Sequence, residues 1–104
     1  MTSLKKAVEN LRPQIEKLAK DEGYYEANAK YGAPSLREES EERLSELRVQ
    51  YWQLRETVTA IFSHMETETV RKALFDVFYD AWWNEYFRER TLLEDLYSED
   101  NEAA

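Results

Sequence analysis

A chain of 104 residues with two glycines, two prolines and no cysteine fits one domain. It lacks the turn density of a sheet protein and has no residue for a disulfide or a thiolate metal site. Charged residues make up 35% and hydrophobic ones 42%, a balance that suits helices with one dry and one solvated face. The net charge of −8 is unevenly spread, at +1 over residues 1–34, −3 over 35–66 and −6 over 67–104. A chain that grows acidic in this way lacks the clustered Lys and Arg that phosphate contacts need, so no direct nucleic-acid binding is expected.

The first element is a helix over about residues 4–30, capped by Ser3. Leu4, Val8, Leu11, Ile15, Leu18, Glu22, Tyr25 and Ala29 step by four and three, with Glu22 the one polar interruption. Pro13 lies inside this stretch and predicts a kink or a restart of the helix, and Glu22-Gly23 predicts a frayed point. Tyr31-Gly32-Ala33-Pro34-Ser35 is a clear turn. Ser35-Leu36-Arg37-Glu38 then reads as a capping box that starts a second helix at Leu36.

The second helix carries the most regular pattern in the chain. Leu44, Leu47, Tyr51, Leu54, Val58, Ile61 and Met65 alternate steps of three and four without a miss. All seven side chains are therefore predicted on one buried stripe. Ser63–Thr69 contains neither Gly nor Pro, which leaves open whether the next helix is separate; Thr67 is the predicted N-cap. The third helix runs from about residue 68 with Val70, Leu74, Phe75, Phe78, Ala81 and Trp82 on a broad dry face. Thr91-Leu92-Leu93-Glu94 is a further capping box, and Leu92, Leu93 and Leu96 resume the apolar stripe. A bend near Arg88–Thr91 followed by a short fourth helix is the reading this favours. Glu89 falls on the apolar side, placed either by that bend or by pairing with Arg88 or Arg90.

The expected fold is all-α: an antiparallel three-helix bundle of long helices, with a short fourth C-terminal helix if the chain bends. Residues 1–97 form its single domain and 98–104 an acidic, disordered tail. No apolar run has signal-peptide or membrane-spanning length, so a cytoplasmic protein without membrane contact is expected.

Aromatic surplus is the strongest functional signal. Trp52 lies opposite the stripe of the second helix. On the third, Tyr79, Trp83, Tyr86 and Phe87 extend the dry surface beyond one core face, with Arg90 beside them. Filling of the bundle is the plainer role; a partner-binding or homodimer face is the functional one, because Trp, Tyr and Arg dominate interface hot spots. Asp76, Asp80, Glu94, Asp95, Glu99 and Asp100 form an acidic surface, of the character found in small inhibitors that mimic nucleic acid on an enzyme.

Glu38-Glu39-x-x-Glu42 resembles the first metal-binding half-motif of the all-helical nucleotide pyrophosphatases of the MazG type. That resemblance implies helical carboxylates holding Mg²⁺ against a triphosphate. The second half of the motif, a Glu-x-x-Asp on a later helix, does not occur; Asp76 and Asp80 stand at another spacing, and a solvated helix start is the simpler account. His64 is the single histidine, without a Glu-x-x-His partner because residue 61 is Ile. The sequence thus predicts a non-enzymatic module that contacts another protein, with no cofactor and no metal.

Overall fold

Ser3 starts the first helix as predicted, its Oγ accepting the Lys6 N–H at 3.2 Å. The computed structural model describes residues 3–103, and the side chains of residues 3–96. Among them it is all-helical, with α1 (Leu4–Tyr31), α2 (Pro34–Ile61) and α3 (Thr67–Ala103). The predicted tail 98–104 falls on residues whose side chains lie outside the described ones.

Helix α1 runs through Pro13 without restarting. Val8 before it and Ile15 after it are both buried. Burying each contributes roughly 1.5–3 kcal/mol, enough together to offset an interior proline's cost of about 3 kcal/mol. Gly23 is not a frayed point either. A Cβ built there would stand 2.7 Å from the Trp82 carbonyl oxygen and 3.2 Å from the Tyr86 nitrogen. Gly23 is therefore a point of close backbone approach between α1 and α3. Ala19 and Ala27, one turn to either side, are fully buried on the same stripe, which is how small residues at four-residue spacing let helices approach.

Helix α1 ends where Gly32 donates its N–H to the Asn28 carbonyl at 2.9 Å. The capping box at Ser35 does not form. Pro34 instead occupies the first turn of α2 behind Ala33, which caps without a side-chain hydrogen bond, a position where the missing N–H of proline costs nothing. At the other end, Phe62 caps α2 with its N–H on the Val58 carbonyl at 3.1 Å. A five-residue turn, 62–66, then separates α2 from α3. Its driving force is Phe62, which leaves the helix and enters the core beside Val58, Val70 and Leu74. Ile61, predicted inside, is consequently left 66% exposed. The N-cap of α3 lies one residue before the predicted Thr67, since the Glu66 carbonyl accepts from Thr69 and Val70.

Among the described residues the predicted fourth helix is not seen: α3 is continuous through Arg88–Thr91. Glu89 is accommodated without a break in the helix, because Asn28 of α1 reaches it. The Asn28 Nδ2 donates to Glu89 Oε1 at 3.4 Å and to the Tyr24 carbonyl at 2.9 Å. Neither predicted arginine pairs with it; Arg88 bonds to Glu85 and Arg90 to Glu94. Glu22 is also absorbed at an interface. With Glu26 it grips Arg48 of α2 at 3.5 and 3.2 Å, and burial raises its carboxyl pKa while Arg48 opposes the rise.

Helix α1 packs against both other helices and holds the centre of the fold, whereas α2 and α3 touch sparingly. Their contact includes the Tyr51 and Phe78 rings, 4.4 Å apart, and the Arg71–Glu56 ion pair at 3.2 Å. Paired positions rise together along α1 and α3: Gly23 meets Trp82 and Tyr86, Asn28 meets Glu89, and Tyr31 lies under Arg90. Along α1 and α2 they run in opposite order, with Tyr25 at Arg43, Glu22 at Arg48, and Ala7 and Leu11 beside Val58 and Ile61. The result is a rod of 62 × 21 × 19 Å. At 1.5 Å per residue α3 is roughly 55 Å long and α1 and α2 roughly 42 Å. No helix among the described residues is long and apolar enough to cross a membrane.

Candidate functional site

Four aromatic residues at uniform four-residue spacing, Phe75, Tyr79, Trp83 and Phe87, form a ribbon along α3. Side chains four apart on a helix are neighbours, and here each ring meets the next. Centroid distances are 5.5 Å for Phe75–Tyr79, 5.8 Å for Tyr79–Trp83 and 4.6 Å for Trp83–Phe87, the last pair stacked. Phe75, Tyr79 and Phe87 are 49, 45 and 48% exposed. Trp83 is half-buried between them, and its indole N–H is shielded from water without an acceptor, which costs about 1–3 kcal/mol.

A second row supports the ribbon from beneath. Trp82 stacks on Tyr86 at 4.7 Å with the planes 10° apart. Tyr86 is buried with Ala27 and Leu93, so of the predicted surface residues it alone belongs to the core. Burial, and then the neighbouring Tyr31, raises its hydroxyl pKa. Lys30 Nζ lies 5.7 Å from the Tyr86 ring, and the Arg90 guanidinium sits 5.1 Å from that of Tyr31. These cation–π contacts pin the end of α1 under α3.

The remaining predicted residues divide by position. Trp52 is 54% exposed on α2, near exposed Val49, and no described aromatic contact joins it to the ribbon. It is a separate patch. Asp76 and Asp80 are exposed beside the ribbon, and Arg90 bonds to exposed Glu94 at 3.0 Å. Asp95 is exposed one position further on. The side chains of Glu99 and Asp100 lie outside the described residues. Glu38, Glu39 and Glu42 are solvent-facing, and among the described residues no three His, Cys, Asp or Glu side chains gather at one point.

Two features escape the sequence reading. Phe75 is predicted in the dry face but opens the ribbon, a placement that the 75-79-83-87 spacing signals. The second is a largely apolar cleft of about 470 Å³ between α1 and α2, lined by Ala7, Leu11, Val58, Ile61 and Phe62 with His64 at its rim. It exists because Phe62 turns inward and leaves Ile61 outside. Leu92 and Leu96 are also exposed, though at 100° per residue they lie roughly on the opposite flank of α3 from Trp83 and Phe87.

Comparison with models of protein families, with curated proteins and with solved structures finds no match to the chain.

Proposed function

We propose that this chain is a non-enzymatic protein–protein interaction module whose contact face is the α3 ribbon. The scaffold is an antiparallel three-helix bundle, up-down-up, a topology supported by the opposite order of the α1/α2 pairings and the common order of the α1/α3 pairings. The observation that carries the functional reading is the continuous run of rings from Phe75 to Phe87, with Phe75, Tyr79 and Phe87 exposed and Trp83 half-buried between them. Scattered apolar side chains on a surface are ordinary, whereas a contiguous aromatic strip marks a contact site. The rings are pre-organised by their mutual contacts and by the Trp82–Tyr86 stack below, so little side-chain entropy remains to be lost on binding.

Affinity capture from the native host tests this with the wild type and Tyr79→Ala/Phe87→Ala. Both positions are about half-exposed, which leaves the core intact. Loss of two hot-spot rings, each worth about 2 kcal/mol, weakens binding by roughly 700-fold where the two losses add, and loss of either alone by roughly 30-fold. A partner retained equally well by the variant contradicts the reading.

A second reading is favoured by Asp76 and Asp80 beside the rings and by Glu94 and Asp95 further along. On it the chain occupies the nucleic-acid site of a positively charged enzyme. Binding is then competed by DNA or RNA and lost at moderate salt, whereas an interface centred on aromatic burial resists salt.

A further inference from the structure

The outward face of α3 is self-complementary. Lys72, Asp76, Tyr79, Trp83, Phe87, Arg90 and Glu94 step by four, three, four, four, three and four. At 100° per residue all seven lie within about 40° of Trp83. The steps read the same in both directions about Trp83, and so does the chemistry, with charges exchanged. Lys72 mirrors Glu94, Asp76 mirrors Arg90, Tyr79 mirrors Phe87, and Trp83 mirrors itself. Lys72, Asp76, Tyr79, Phe87 and Glu94 are exposed, Trp83 and Arg90 partly so. Within the described residues Lys72 and Asp76 make no ion pair, and Arg90 and Glu94 pair only with each other.

We infer that the ribbon's partner is a second copy of this chain, with the two α3 helices antiparallel about a two-fold axis at Trp83. This rests on the reading of the ribbon as a contact face and gives that face its occupant. In an antiparallel helix pair, residues whose numbers have a constant sum oppose one another, and a two-fold axis makes each such contact occur twice. Trp83 meets Trp83 at the axis, and each Tyr79 meets the second copy's Phe87. Each Asp76 meets the second copy's Arg90, and each Lys72 the second copy's Glu94. The apolar centre is then flanked by four ion pairs whose signs match in this register only. A parallel pairing sets like charges opposite each other, which disfavours it.

Charge exchange tests the register with the full chain. Asp76→Arg sets two guanidinium groups against each other at each of its pairings, and Arg90→Asp sets two carboxylates against each other there. Sedimentation of each variant alone is expected to show dimerisation weakened about tenfold or more relative to wild type. An equimolar mixture of the two variants restores every pair to opposite sign and is expected to recover a heterodimer of twice 12.5 kDa. A wild-type chain that stays monomeric at its highest soluble concentration overturns this inference and leaves the ribbon free to bind another protein. A wild-type dimer that the mixture fails to restore overturns the antiparallel register. A dimer indifferent to both charge variants and to Tyr79→Ala/Phe87→Ala overturns the inference and the contact-face reading together.

Discussion

Gly23→Ala is expected to destabilise this protein, against the usual direction for such a change. In an exposed helix interior Ala is preferred over Gly by about 1 kcal/mol, because it restricts the unfolded chain and favours the helix. At Gly23 the new methyl stands 2.7 Å from the Trp82 carbonyl oxygen and 3.2 Å from the Tyr86 nitrogen. Both are backbone atoms of α3 and cannot rotate away as a side-chain tip can. Relief requires α1 and α3 to separate along a stripe that also holds the fully buried Ala19 and Ala27. Overpacking of this kind costs typically about 1–3 kcal/mol, and an obstacle of main-chain atoms puts it at the upper end. Subtracting the gain in helix propensity leaves a net loss of about 1–2 kcal/mol. For a chain of this length that lowers the melting temperature by roughly 4–15 °C. Circular dichroism of the helical signal, with urea unfolding as a second measure, reads the difference directly. A variant as stable as wild type, or more stable, refutes the close crossing of α1 and α3 at this glycine.

Other consequences follow from burial and charge. Glu22 titrates above its ordinary value of 4.5 because burial outweighs Arg48, so the folded state binds the proton more tightly than the unfolded chain. Its contribution is fully present below the unfolded pKa and is lost as pH rises through the raised folded value. The melting temperature of wild type relative to Glu22→Gln should therefore fall as pH rises from 4.5 toward neutrality; a constant or rising difference contradicts the account. Ile15→Ala, at a fully buried side chain, is expected to cost about 2–5 kcal/mol in urea unfolding. Ile61→Ala, at the exposed end of α2, should change stability by less than about 0.5 kcal/mol. Similar losses at both positions place Ile61 in the core and remove the cleft beside it.

What the sequence reveals here is what depends on local spacing. The start of α1 at Ser3, the turn at Gly32–Pro34 and the buried Leu44, Leu47 and Val58 all follow from caps and periodicity. Periodicity alone cannot tell where a helix stops facing its neighbour, so Ile61 continues the stripe in sequence and leaves it in space. Phe62 decides that outcome by turning inward, a tertiary event without a Gly or Pro signal. Gly23 reads as a weak point because its value lies in α3, far along the chain, and local propensity carries no trace of it. Glu89 similarly finds its partner in Asn28, so the carboxylate that suggests a break is satisfied within one continuous helix. The aromatic ribbon is half legible: Tyr79, Trp83 and Phe87 stand out as surplus, whereas Phe75 joins them and Tyr86 leaves them only once the rotation of α3 against α1 is known. The central place of α1, rather than of the more regular α2, depends on its small residues.

Hydroxyl-radical footprinting tests the contact face most directly, because it reads the solvent access of individual side chains. Phe75, Tyr79 and Phe87 are expected to be labelled in the dilute chain and protected when it associates, whether with a second copy or with a captured partner. Trp52, on its separate patch of α2, should be labelled equally in both states. Protection at Trp52 with the ribbon unchanged would contradict the account.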